Sequence, residues 1–220
     1  YWDINVCGTN TLLSVMRENN CYTLVFSSSA TIYGYPDKIP INEKAEIKPI
    51  NPYGQTKAAA EQILRDLANS EPDKWKIASL RYFNPVGAHP SGQIGEDPKG
   101  IPNNLFPYVG QVAVGMRKRL NIFGGDWQTK DGSCIRDYIH VVDLAEAHVI
   151  ALKYLTKNNP QLLELNLGKG KGFSVIEVVE AYERAADRSI PKLITERREG
   201  DAAETVADPS LAESILGWKA

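Results

Sequence analysis

The chain has 220 residues, 43% of them hydrophobic and 24% charged, a composition that suits a globular protein able to bury a sizeable core. Its formal net charge of -2 gives no general electrostatic reason to bind nucleic acid or an anionic membrane, so any phosphate recognition must be local. No apolar run approaches the ~20 residues that span a bilayer, and Tyr1-Trp2-Asp3 begins no signal-type stretch, so a cytoplasmic location is expected.

Helical periodicity runs over 1–17 through Val6, Leu12, Leu13 and Met16, and without an initial methionine the sequence reads as starting inside a helix. Residues 22–26, β-branched and aromatic, predict a short buried strand running into a loop at Ser27-Ser28-Ser29. A second helix is expected over 53–68, with Pro52 in its opening turn, followed by a strand over 77–83. This alternation predicts a doubly wound parallel α/β sheet, whose ligands collect at the C-terminal ends of the strands, where Ser29 and Asn84 would lie.

From 85 to 100 the sequence turns to Gly, Pro and polar residues, which reads as a loop and a domain boundary. Residues 1–85 are assigned to the dinucleotide-binding domain and 86–220 mainly to a smaller α/β substrate domain, with part of 121–155 packing back on the first. Beyond the boundary the patterns predict helices over 103–117, 141–154 and 174–186 and strands over 120–123 and 162–167. Gly168-Lys-Gly-Lys-Gly172 superficially suggests a phosphate loop. It lacks the G-x-G-x-x-G spacing and the acidic residue about 20 positions on, so it reads as a turn ending at a Ser174 helix cap.

The three cysteines, Cys7, Cys21 and Cys134, are widely spaced, and His89, His140 and His148 form no pair at helical spacing. Buried reduced thiols and no metal are expected.

In Tyr53-Gly-Gln-Thr-Lys57 a helix places the phenol and the ammonium on one face, one turn apart. Holding a tyrosine as phenolate near neutral pH requires about 3 pKa units, roughly 4 kcal/mol, of which a nearby cation supplies part. The spacing alone arises often by chance and favours an ordinary surface pair. Arg136 and Arg198 are forked donors suited to a diphosphate or to a salt bridge between domains.

A strand, then Ser27-Ser28-Ser29, then Tyr53 and Lys57 on a helix together resemble the short-chain dehydrogenase/reductase superfamily. Ser27-Ser-Ser-Ala-Thr-Ile-Tyr-Gly34, Asn51-Pro-Tyr-Gly54, Leu80-Arg-Tyr-Phe-Asn-Pro-Val-Gly-Ala88 and Gly95-Glu-Asp-Pro-Lys-Gly-Ile-Pro-Asn-Asn-Leu105 resemble its UDP-galactose 4-epimerase family. Ile122-Phe-Gly124, Arg136-Asp-Tyr-Ile-His-Val-Val-Asp-Leu144 and Arg197-Arg-Glu-Gly-Asp201 continue the resemblance over almost the whole chain.

The resemblance implies a Rossmann-like fold whose glycine-rich cofactor loop, near the N-terminus in that family, is not in this chain. It implies catalysis by Ser29, Tyr53 and Lys57, and NAD contacts from Asn5, Ser27, Tyr53, Lys57 and Tyr82. The UDP-hexose would be held by Ser29, Asn84, Asn104, Leu105, Asn121, Phe123, Arg136, Tyr138, Arg198, Asp201 and Thr205. The implied reaction of galactose metabolism inverts carbon 4 through a 4-keto sugar, with NAD recycled, in a homodimer paired through the helices of Asn5 and Tyr53.

Nucleotide-sugar 4,6-dehydratases need two further carboxyl groups where this chain has Ala30 and Thr31; decarboxylases and a silent nucleotide-binding module are the remaining alternatives. Thr205, smaller than an aromatic residue, suggests that N-acetylated UDP-hexoses are also accepted.

Overall fold

The computed structural model describes residues 1–220. A π-helical turn, Trp2–Cys7, leads into α1 (Gly8–Glu18), so the first predicted helix is present with a widened opening. β1 (Thr23–Ser29) follows, then a 3-10 turn (Ala30–Tyr33), α2 (Pro52–Ser70) and β2 (Lys76–Tyr82). Asn51 starts α2 by accepting the Gly54 N–H at 2.8 Å, and Pro52 occupies its first turn, where no N–H donor is needed.

Next come β3 (Asn84–Val86), α3 (Leu105–Ala113), β4 (Leu120–Phe123), β5 (Ile135–His140), α4 (Val141–Lys157) and β6 (Gln161–Leu167). The chain ends with β7 (Gly172–Ser174), α5 (Val175–Ala186), β8 (Lys192–Thr195), β9 (Glu204–Thr205) and α6 (Ser210–Leu216). α5 opens with a reciprocal capping box between Ser174 and Glu177, as the Ser174 cap requires.

The main sheet has the order β1-β2-β6 and is parallel throughout, with Ser29 opposite Tyr82 and Tyr82 opposite Leu167. In β2 the alternation sends Ala78 and Leu80 into a core with Leu144, Ala147, Ala151 and Leu155 of α4. Ile77 instead joins Leu13 of α1 and Leu64 of α2. Helices therefore cover both faces, and β2 is buried as the central strand of a doubly wound sheet must be.

A second sheet joins β3, β5 and β7, with β9 also pairing β5, and β4 pairs β8 beside a core built by α3 and α5. Three expectations are corrected. Cys7 and Cys21 are exposed on the first helical segment and just after α1, and only Cys134 is buried. Ser27, Ser28 and Ser29 are not a loop: they continue β1, because parallel pairing with Leu80, Arg81 and Tyr82 satisfies their backbone. The helix expected over 103–117 is shorter, ending before Gly115, whose φ of 79° breaks helical geometry.

Candidate active site

The ends of β1 and β2 bring the first group together. Ser29 is buried, ends β1 and caps the 3-10 turn; its Oγ lies 3.3 Å from the Thr31 N–H and accepts from the Thr31 hydroxyl at 3.0 Å. Tyr53 stands in the first turn of α2, half-buried, with the Tyr1 ring packed edge-on at 5.7 Å. One turn on, Lys57 donates from Nζ to the Ser27 carbonyl at 2.8 Å and lies 5.8 Å from the centre of the Tyr53 ring.

Burial pushes the Tyr53 phenol up, Tyr82 and Tyr1 add to this, and the neighbouring Ser29 hydroxyl opposes it. Burial also draws the Lys57 ammonium down. The Lys57 ammonium is directed to a backbone carbonyl beside the Tyr53 ring, and the Ser29 hydroxyl favours the phenolate.

Asn5 donates to Thr56 Oγ1 at 2.9 Å, and Thr56 donates to the Tyr53 carbonyl at 2.8 Å, which ties the first helical turn to the opening of α2. The Ser27 hydroxyl is paired at 3.2 Å with His148 Nε2, whose Nδ1 donates to the Leu144 carbonyl at 2.8 Å. Tyr82 packs against the same histidine, ring centres 6.1 Å apart. His148 escaped sequence reasoning because a lone histidine on an amphipathic helix carries no motif.

The second group lines one cavity of about 520 Å³, in the size range of small-molecule sites. Asn84, Asn104, Leu105, Asn121, Phe123, Arg136, Tyr138, Arg198 and Asp201 all contribute to its wall. Asn84 faces Tyr138 across the β3–β5 pair and follows Tyr82 by two residues, so the cavity opens about 7 Å along the chain from the first group. Asp201 carries both guanidiniums: Arg198 binds it at 2.8 Å and Arg136 approaches to 3.5 Å. The three charges leave one net positive unit at the wall, while Arg198 also lies 5.5 Å over the Phe123 ring.

The Tyr138 phenol is pushed up to about 12 by burial, against the lowering effect of Arg136, and stays a hydrogen-bond donor at neutral pH. Asn104 donates to Glu96 at 2.9 Å. Asn121 Oδ1 is buried without a partner, an acceptor that a ligand N–H would satisfy. Thr205 pairs with Arg136 in register but is outside the cavity wall. Phe106, Tyr108, Leu120, Cys134 and Val175 also line this wall and carry only ordinary core patterns in the sequence.

The glycine turn after β6 is filled from within: the buried Asp137 carboxylate accepts the N–H groups of Lys169 at 2.8 Å, Gly170 at 2.9 Å and Ala207 at 3.1 Å. Its donors hold a side chain of the protein itself, in line with its reading as a turn.

A profile of the NAD dependent epimerase/dehydratase family matches residues 1–168. The chain belongs to that family. A UDP-glucose 4-epimerase from Pisum sativum is 53% identical over 221 residues, covering all of this chain and 63% of the pea protein. One from Dictyostelium discoideum is 53% identical, with 64% of its length covered. The chain thus spans less than two thirds of these relatives. Among solved structures, a UDP-glucose 4-epimerase from Bifidobacterium longum in complex with NAD+ and UDP superposes with a TM-score of 0.95 at 52% identity, covering the whole chain and 65% of that structure. One from Stenotrophomonas maltophila with bound NAD and formylated UDP-arabinopyranose gives 0.96 at 49%, also covering the whole chain and 65% of that structure. These family members share the parallel α/β fold described above.

Proposed function

We propose that the chain serves the NAD-dependent interconversion of UDP-galactose and UDP-glucose by inversion at carbon 4. The observation that carries this is the continuity of the two groups: the paired ends Ser29 and Tyr82 lead, through Asn84, directly into a cavity with two arginines. The names and bound ligands of the similar enzymes support the choice of substrate and cofactor.

Lys57 fits a dinucleotide, because one of its three N–H donors holds Ser27 and the others are left for ribose hydroxyls. Tyr53, Tyr82, Asn5 and Ser27 complete that side, Asn5 and Ser27 by fixing Tyr53 and Lys57. NAD supplies the hydride acceptor and donor for carbon 4.

Tyr53 removes and returns the proton of the 4-hydroxyl, and Ser29 holds that hydroxyl and the phenol in line. Arg136 and Arg198 clamp the diphosphate, Phe123 and the free Asn121 acceptor take the uracil, and Asn84, Asn104, Leu105, Tyr138 and Asp201 shape the remaining wall. Firm contacts to UDP and fewer to the hexose suit a 4-keto sugar that must present its other face before hydride returns. Ala30 and Thr31 follow Ser29 in the 3-10 turn, with the Thr31 hydroxyl spent on Ser29, so no acid and base for dehydration stand there.

Residues up to about 85 serve the dinucleotide and most of the later chain serves UDP-hexose, with α4 returning to the main sheet. The exposed Tyr1, Trp2, Ile4, Leu12 and Val15 supply an apolar helical face for a second copy, which supports a homodimer. Three free cysteines suit a reducing cytoplasm, and the substrates place the enzyme in galactose metabolism.

Incubating the full-length protein with UDP-galactose tests the proposal. UDP-glucose without net NADH is expected; a 4-keto-6-deoxy sugar would mean dehydration, and no product would overturn the assignment. Turnover of UDP-N-acetylglucosamine in the same assay decides the wider range suggested by Thr205.

A further inference from the structure

Three consecutive serines end β1, and each is held differently. The Ser27 carbonyl receives Lys57, and Ser29 stands beside Tyr53. Between them, Ser28 is fully buried and donates to Glu61 Oε1 at 2.5 Å. Glu61 lies on α2 one turn beyond Lys57 and two beyond Tyr53, so the three form a single stripe on that helix.

Only 1% of Glu61 is exposed. Its carboxylate also accepts from Ser79 at 3.1 Å, from Arg81 Nε at 3.0 Å and Nη2 at 2.7 Å, and from Arg65 at 2.8 Å. Arg81 is paired with Ser28 in register, so carboxylate, guanidinium and hydroxyl interlock across β1, β2 and α2. A buried carboxylate with all its partners in place costs little, whereas one with a partner missing is expensive, and this resists sliding of the helix over the strand.

From this geometry we infer that Glu61 is a positioning residue: through Ser28 it fixes the register of α2 on β1 and thereby the approach of Tyr53 to Ser29 and of Lys57 to the Ser27 carbonyl. The inference rests on the proposed role of Tyr53. Misplacement of a reacting group by about 1 Å costs on the order of a hundredfold in rate, so a partial loosening should be visible in kcat.

Ser28→Ala in the full-length protein removes the helix-to-strand link without stranding a charge. Ser79→Ala removes a bond to the same carboxylate from β2, away from the reacting serine, and serves as the control. Ser28→Ala is expected to lower kcat by about tenfold with KM for the sugar nucleotide unchanged, whereas Ser79→Ala keeps kcat near that of the parent.

The groups that face the Tyr53 phenol are Lys57 of the same helix, Tyr1 of the first turn, Tyr82 of β2 and Ser29 of β1. Drawing the Ser29 hydroxyl away from the phenol removes its lowering effect, so the acid limb of the pH–rate profile moves to higher pH in Ser28→Ala alone.

Unchanged kcat and pH profile in Ser28→Ala would overturn the inference, as would equal losses in both variants that track their thermal stability. If the parent itself does not epimerise, the function assignment fails separately. Tyrosinate absorbance, titrated as a difference against Tyr53→Phe, then still reports whether Ser28→Ala shifts the phenol, and an unshifted titration overturns the positioning role.

Discussion

Lys57 and Ser27 are joined by a bond of 2.8 Å from ammonium to backbone carbonyl. It holds the cation beside the Tyr53 ring without spending it on the phenol. Lys57→Met removes the charge while keeping most of the apolar stem. Its expected effect is a fall in kcat of about 10²–10⁴-fold with the fold intact, read by product formation and circular dichroism.

Arg198 and Arg136 share Asp201 at the cavity wall. Hydrogen bonds to charged groups contribute about 1.5–3 kcal/mol, so Arg136→Leu or Arg198→Leu should weaken UDP binding by roughly 10- to 100-fold. Isothermal calorimetry with UDP checks this; unchanged affinity in both variants would remove the diphosphate from this wall.

Glu61 contributes to stability on the acid side. Burial alone raises its carboxyl, but the bonds from Arg81 and Ser28 and the charge of Arg65 outweigh this and hold it below the usual carboxylate range. A depressed folded value gives stability that is complete above the unfolded value, 4.5, and is lost as pH falls through the folded one. Glu43 and Asp137, both raised chiefly by burial, act in the opposite sense: they cost stability as pH rises through their raised values. Glu61→Gln removes the buried carboxylate from Arg81, which keeps Glu164 at 3.1 Å, and should cost about 3 kcal/mol near neutral pH, with less further loss on acidification. Urea unfolding across that range measures both.

Gly168 has no room for a side chain: a Cβ would lie 2.5 Å from Ala207 Cβ and 2.6 Å from Asp137 Oδ2. Gly168→Ala should therefore destabilise by about 1–3 kcal/mol by overpacking, measured as a lowered unfolding midpoint. Gly200→Ala meets no neighbour within 4 Å but sits at a φ of 83°, so its cost would come from backbone strain alone.

The long periodic elements were legible in the sequence, because α2, α4, α5 and β2 each bury a regular apolar face against one sheet or core. The short strands β3, β5, β7 and β9 were not, since three to six residues or fewer carry no period, and long-range pairing defines them. The cavity residues were legible through motif resemblance. Glu61 had a usable signal, four residues beyond Lys57 on the same helix face, but its partners Ser28 and Arg81 come from two strands and meet it only in the fold. The orientation of Lys57 had none, because a backbone carbonyl acceptor leaves no mark on side-chain sequence.

The most direct measurement compares full-length protein with its Tyr53→Phe variant in the conversion of UDP-galactose to UDP-glucose, both checked for UDP binding. Proton transfer by Tyr53 predicts that the variant binds UDP normally and turns over at least about a hundredfold more slowly. A variant that binds UDP and retains the full rate would contradict the account.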